Sequence, residues 1–393
     1  MSRAFVAGVG MIPFTKPGAS EPYHAMGAAA GRLGLQDAGV GYDSIQQVYA
    51  GYVYGDSTSG QRAVYALGMT GIPIVNVNNN CSTGSTALFL ARQAIESGAA
   101  DCVLALGFEQ MKPGALGTVF DDRPSPFEDF DREAEALIGM PELPLALRYF
   151  GGAGLAHMRK HGTPLEAFAK VRAKASRHAA HNPLALLRKE LTADDVMNAP
   201  MLWPGVLTRL MACPPTCGAA AAVLVSEAHA KRHGLRTDVV IAAQAMTTDR
   251  PDSFDSHDMM NLVGYGMSKA AARTVYEKSG IGPEDLDVVE LHDCFAHNEL
   301  ITYEALGLCA EGEAAAFIDA GDNTYGGQVV TNPSGGLLSK GHPLGATGLA
   351  QCYELTHQLR GSAEQRQVTG ARIGLQHNLG LGGACVVTLY QAA

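Results

Sequence analysis

The chain has 393 residues, 47% of them hydrophobic and 17% charged, enough to bury a large core and, at roughly 150 residues per domain, to build two or three lobes. A formal net charge of −10 excludes the basic surface that nucleic-acid phosphates need, and no apolar run approaches the roughly 20 residues of a membrane span. Eight cysteines without regular spacing read as reduced thiols. With a start too short and glycine-broken for a signal peptide, and an end, Gln391-Ala-Ala393, lacking a peroxisomal address, they point to a cytoplasmic protein.

Strands are expected over residues 4–9, 47–53, 72–77 and 102–107, alternating with helices over 24–37 and 85–97, the pattern of α/β layering. Between 111 and 210 the periodic strands stop, and a helical insertion carrying Pro, Arg and His is expected to form a lid or loop domain. The alternation resumes with strands over 239–245, 288–291, 373–377 and 385–390 and helices over 268–279, 298–306 and 345–359. A faint duplication runs through it: Cys81 is followed three residues on by Gly84 and a small-residue helix, and His342 by Gly345 and a similar helix. If a pseudo-twofold axis relates the halves, both helix starts converge in the crevice between them.

Cys81 lies where an apolar, β-rich stretch turns helical, and a helix start is expected to favour its thiolate, the nucleophilic form. His342, between Gly341 and Pro343, reads alone as a structural turn residue; paired with Cys81 it reads as the base that a nucleophilic cysteine requires. His292-Asp293-Cys294 follows the strand ending at Leu291, placing these side chains at a strand's carboxyl end, where α/β sites gather. Cys294 there is a candidate proton shuttle; Cys213, Cys217 and Cys294 lack the paired spacing of a structural zinc, and no metal is expected. Gly380, Gly382 and Gly383 read either as a tight turn or as bare amides facing an acyl oxygen. Lys170, Lys174 and Arg177 can share one helix face, for which a solvated surface is the default and phosphate contact the minority reading. Tyr149 and Phe150 read as packing.

The segments Gly55–Arg62, Asn76–Ser85, His292-Asp-Cys-Phe295, Gly321–Gly327, Asn332–Gly348 and Gln376–Gly380 resemble signatures of the thiolase superfamily, and most closely its sterol-carrier-protein-type branch, over essentially the whole chain. The resemblance implies a thiolase fold of two pseudo-symmetric halves in an αβαβα sandwich, residues 1–235 with a loop domain over about 112–210, then residues 236–393, working as a homodimer or homotetramer. It implies that Cys81 takes the acyl group with His342 as base, and that Cys294 transfers protons where ordinary thiolases use a late cysteine, a place held here by Asn378-Leu379-Gly380. The N–H groups of Cys81 and Gly380 would form the oxyanion hole, while His292 and His342 polarise the other thioester carbonyl. CoA enters as a co-substrate, with no permanently bound cofactor. Family members often carry Ser-Asp-Gly where this chain reads Pro215-Thr216-Cys217-Gly218, a departure from the family's pantetheine contacts; Thr216 is the candidate contact in that segment. Ending at the last thiolase strand, the chain is expected to lack an appended sterol-carrier module.

The expected activity is CoA-dependent cleavage of a 3-oxoacyl-CoA, branched or with a steroid side chain, to acetyl-CoA or propionyl-CoA and a shortened acyl-CoA. One alternative is a thiolase-like acyltransferase or steroid side-chain retro-aldolase working with a small partner of acyl-CoA-binding fold; retention of Cys294 argues against it. The other is a non-catalytic acyl-CoA or lipid-binding protein, which the intact Cys81 and His342 disfavour.

Overall fold

The computed structural model describes residues 3–113 and 119–393. Its strands, in chain order, are β1 (Ala4–Met11), β2 (Gln47–Gly51), β3 (Ile74–Val77), β4 (Cys102–Glu109), β5 (Met201–Trp203), β6 (Leu207–Thr208), β7 (Gly218–Ser226), β8 (Val239–Thr247), β9 (Val288–Glu290), β10 (Val330–Thr331), β11 (Ile373–Gly380) and β12 (Ala384–Ala392). All but β5 and β6 join one run of order β10-β9-β11-β12-β8-β1-β7-β4-β2-β3. Read outward from the β1/β8 junction, the two sides match strand for strand. In each, the first strand pairs antiparallel with the last, which pairs antiparallel with the third long strand, and two parallel pairings follow. The faint sequence duplication is therefore a duplication of topology, and at the junction β1 and β8 meet at a single register pair, Phe5 with Val240.

Two helices, Thr83–Glu96 and Thr347–Leu359, pack on each other and on strands of both sides. Outside them, Tyr23–Ala38 covers β1, β7 and β4, while Tyr265–Ser279 covers β8 and β12 and leans on Ala296–Ala305. The layers are thus α, β, α, β, α, and the middle apolar cluster draws on Leu88 and Ile95 from one central helix and Leu349 and Leu355 from the other. Between β4 and β7 lie the helices Glu128–Ile138, Leu145–His161, Leu165–Ala180 and Ala193–Met197. That region is helical as expected, with one addition, the β5–β6 hairpin.

Sequence reading passes over β7. Gly218-Ala-Ala-Ala-Ala-Val-Leu-Val-Ser226 is alanine-rich, and alanine is the strongest helix former. All nine residues are nonetheless buried, between β1 and β4 and beneath helices on both faces. Small side chains let those helices approach, and the burial overrides local propensity.

The helix starts converge as the duplication implies. A Cβ on Gly84 would sit 2.8 Å from the Gly345 carbonyl oxygen, and one on Gly345 would sit 2.4 Å from the Phe108 and 2.7 Å from the Gly51 carbonyl oxygens. All these obstacles are backbone. Gly345→Ala is therefore expected to cost about 3 kcal/mol, read as a lowered guanidinium midpoint at unchanged slope; a loss below about 0.5 kcal/mol would show that the crossing is looser than drawn.

Candidate active site

The sulfur of Cys81 and one ring nitrogen from each of His292 and His342 lie within 4.8 Å of one another. Cys81 leaves the turn after β3, Ser82 caps the central helix and Thr83 is its first residue. The expectation that a helix start lowers the thiol is overturned. Burial, then the Glu109 carboxylate, pushes Cys81 up to about 12, against the opposing pull of its own N–H and that of Leu381. A desolvated sulfur two residues ahead of a helix loses more from missing water than the helix terminus restores. At pH 7 the thiolate fraction is on the order of 10⁻⁵, so attack requires a base at the sulfur.

His342 presents an acceptor nitrogen. Thr347 donates its hydroxyl proton to the Pro343 carbonyl at 3.0 Å and therefore accepts from His342 Nδ1–H at 2.7 Å. The lone pair of the neutral ring is left on Nε2, a buried atom without a partner among the described residues. Burial, then the Lys340 charge, pushes His342 down to about 3, which keeps the ring neutral and ready to accept a proton.

His292 has the opposite tautomer. Tyr390 donates to Gln376 Oε1; Gln376 Nε2 donates to Ser85 Oγ at 2.6 Å; Ser85 donates to Asn378 Oδ1 at 2.8 Å. Asn378 Nδ2 is thereby turned to donate to the Cys81 carbonyl and to His292 Nδ1, both at 3.1 Å. With Nδ1 accepting, the proton of neutral His292 sits on Nε2. Burial, then the neighbouring His342 and His377, holds this ring well below the usual histidine range. Two imidazoles whose centroids are 5.0 Å apart and whose planes stand at 84° thus offer one acceptor and one donor.

Cys294, 3% exposed, lies between β9 and the Ala296–Ala305 helix. Its thiol is held well above the usual range by burial first, then by Cys213, Cys81 and Asp293. Cys213 was missed as a neighbour in sequence reading: its N–H donates to the Cys294 carbonyl at 2.9 Å, and an Ala212–Phe295 bridge holds the segment there. Glu109 was also missed. Its carboxylate accepts from Val53, Tyr54 and Gly345 N–H at 3.0–3.1 Å, tying the nucleophile side to the His342 loop. A lone acid at a strand end carries no motif that would have revealed it.

Gly382 and Gly383, with φ of 91° and 106°, make the turn from β11 to β12. Gly380 lies against the nucleophile turn, where a Cβ would sit 2.3 Å from the Asn79 carbonyl oxygen and 3.2 Å from Ser82 N. Tyr149 and Phe150 are packing, Phe150 stacking on Phe295 at 5.1 Å.

The candidate CoA contacts need correction. Lys170, Lys174 and Arg177 do line one cavity of about 210 Å³ with Asn323 and Thr324. Lys174, however, is 2% exposed and its ammonium is held by Glu299, Tyr303 and Thr331, so it has no donor left for a phosphate. Lys170 is already neutralised by Glu166 at 3.2 Å and Asp319 at 2.9 Å. Thr216 is fully buried and accepts from His342 N–H at 3.1 Å; it positions the base loop and does not face a pantetheine. Arg177 alone of the four remains an exposed cation.

These buried groups make stability depend on pH. Burial depresses His178, His342 and His377 to about 3 and His297 to about 4, and His292 well below its ordinary value. Groups depressed on folding stabilise fully above about pH 6.5 and lose that contribution as pH falls toward the folded values. Burial raises Glu109 to about 7 and Asp293 to about 8, which has the opposite sign and is lost as pH rises through those values. Near pH 5.5 the unfolded chain then takes up roughly three protons net, five imidazoles less two carboxyls. Stability is expected to fall by about 4 kcal/mol per pH unit there, at about 1.4 kcal/mol per proton. Guanidinium midpoints between pH 7 and 5 read this, and a slope of less than one proton would contradict it.

Family models described as "Thiolase, N-terminal domain" and "Thiolase C-terminal domain-like" match residues 4–123 and 250–390. The chain is 56% identical over 398 residues to Sterol carrier protein 2 of Oryctolagus cuniculus, covering 100% of this chain and 72% of that one. It is 34% identical over 369 residues to an acetyl-CoA acetyltransferase of Methanothermobacter thermautotrophicus, covering 92% of each. A solved Ltp2-ChsH2(DUF35) aldolase superposes with a TM-score of 0.83 at 22% identity, over 99% of this chain and 98% of that one, a likeness of fold.

Proposed function

Since this chain belongs to the thiolase superfamily, in its sterol-carrier-protein-type branch, we propose that it cleaves branched-chain or steroid side-chain 3-oxoacyl-CoA thioesters with CoA through an acyl-Cys81 intermediate. The observation that carries this reading is the cluster of Cys81, His292 and His342 within 4.8 Å, with the buried Nε2 of His342 unpartnered among the described residues.

His342 Nε2 takes the Cys81 proton, and the sulfur attacks the 3-oxo carbon while the Cys81 and Gly380 N–H groups meet the oxyanion. The C2–C3 bond then breaks. Its electron pair passes into the thioester as an enolate, stabilised by His292 Nε2–H and protonated His342, and C2 takes the Cys294 proton to release acetyl-CoA or propionyl-CoA. The Cys294 thiolate next deprotonates incoming CoA, whose sulfur attacks acyl-Cys81. The departing Cys81 thiolate recovers its proton from His342, and both cysteines end as they began. The same reading makes the chain a cytoplasmic homodimer or homotetramer of two related halves, 1–235 and 236–393; among the described residues no helix is long and apolar enough to cross a membrane.

The test is a mass-spectrometric screen of purified protein against 3-oxoacyl-CoA thioesters of varied length and branching. A CoA-dependent loss of substrate with an acyl adduct on Cys81 is expected; folded protein that consumes none of them would refute the reading. The likeness to the Ltp2-ChsH2(DUF35) aldolase favours a second reading, an aldolase subunit needing a small partner. Thiolysis by the chain alone would exclude that requirement.

A further inference from the structure

Outside the catalytic cluster, His157 and His161 stand one turn apart on the inserted helix Leu145–His161, and Glu304 lies near the end of Ala296–Ala305, which packs against it. One ring nitrogen from each histidine and one Glu304 oxygen lie within 4.8 Å of one another. Two observations point to a ligand there. Nε2 of His161 is enclosed and has no partner among the described residues. The Glu304 side chain is 1% exposed, and among the described residues its partners are His157 Nε2 at 3.0 Å and the Ala314 N–H at 3.3 Å. A buried carboxylate calls for a countercharge, and a ring nitrogen of His161 lies within the same 4.8 Å. His157 Nδ1 meets Thr163 Oγ1 at 2.7 Å, the kind of outer contact that orients a metal-binding imidazole with Nε2 inward.

We propose that His157, His161 and Glu304 bind a divalent cation of the zinc class, fastening the inserted helices to the C-terminal half. Two imidazole nitrogens and one carboxylate oxygen are a donor set that zinc accepts, leaving a fourth position for water. A tetrahedral zinc holds such atoms about 3.4 Å apart, and closing on the ion compensates the carboxylate and gives a ring nitrogen of His161 a partner. The residues are supplied by two segments far apart in sequence, so the ion would act as a crosslink between them.

The test uses the full chain in a Cys81→Ala background, which removes a ligand from the competing catalytic cluster. After chelator treatment it is titrated with Co²⁺, read by visible absorption, and then with Zn²⁺. One Co²⁺ per chain, displaced by one Zn²⁺, is expected, with a zinc-dependent rise in thermal midpoint. His161→Ala, a half-buried position on the last helical turn, should keep the far-ultraviolet spectrum, bind Co²⁺ at least a hundredfold more weakly and lose the thermal shift; His157→Gln should do the same. Absence of uptake in the Cys81→Ala chain, or equal uptake by His161→Ala, overturns the proposal.

Discussion

Cys81→Ala is expected to leave no acyl adduct and to lower kcat/KM by at least about 10⁴, whereas Cys294→Ala still acquires the adduct but turns over about 10²–10⁴ more slowly. Both thiols are buried, and under the proposed mechanism they differ in what they do. Without Cys81 no acyl bond can form. Without Cys294 the bond still forms, with C2 taking its proton from water, but incoming CoA lacks a base. Intact-mass measurement after mixing with a 3-oxoacyl-CoA, followed by addition of CoA, separates the steps. Equal loss of the adduct in both variants would contradict this division of labour.

His342→Ala is expected to lower the rate at pH 7 by about 10²–10⁴ and to change the shape of its pH dependence. In the native chain His342 is pushed down to about 3 and is neutral from pH 5 to 9, so the profile should show no acid limb near 6.5. In the variant only spontaneously formed thiolate reacts. With the Cys81 thiol pushed up to about 12, the residual rate should climb tenfold per pH unit between 6 and 9. A pH-independent residual rate would show that another group takes the Cys81 proton, and a native acid limb near 6.5 would show that His342 is solvated.

The site's members were legible because each carries a local mark. Cys81 stands at a strand-to-helix change, His342 sits in a glycine-rich run matching it in the other half, and Cys294 follows a short apolar strand. The matched Cys-x-x-Gly and His-x-x-Gly spacings foretold the convergence that Gly84 and Gly345 realise by backbone contact. Where the sequence misled, the deciding quantity was burial from elsewhere in the chain. Lys174 has the spacing of a surface cation, yet its ammonium is enclosed by Glu299 and Thr331, respectively 125 and 157 positions away. The alanines of β7 would suit a helix in isolation, but lie between two strands beneath two helix layers. Glu109 and Cys213 have no local signature at all.

What the sequence by itself determined is most of the order of elements, the internal duplication and the candidate residues Cys81, His342 and Cys294, since periodicity, turn chemistry and residue type are local properties. Only the tertiary structure decided their protonation. The path from Tyr390 through Gln376, Ser85 and Asn378 to His292, and that from His342 through Thr347 to Pro343, orient two like imidazoles to opposite tautomers. Tautomer and acidity follow from which partners and how little water surround an atom, and distant segments supply both only when folded together.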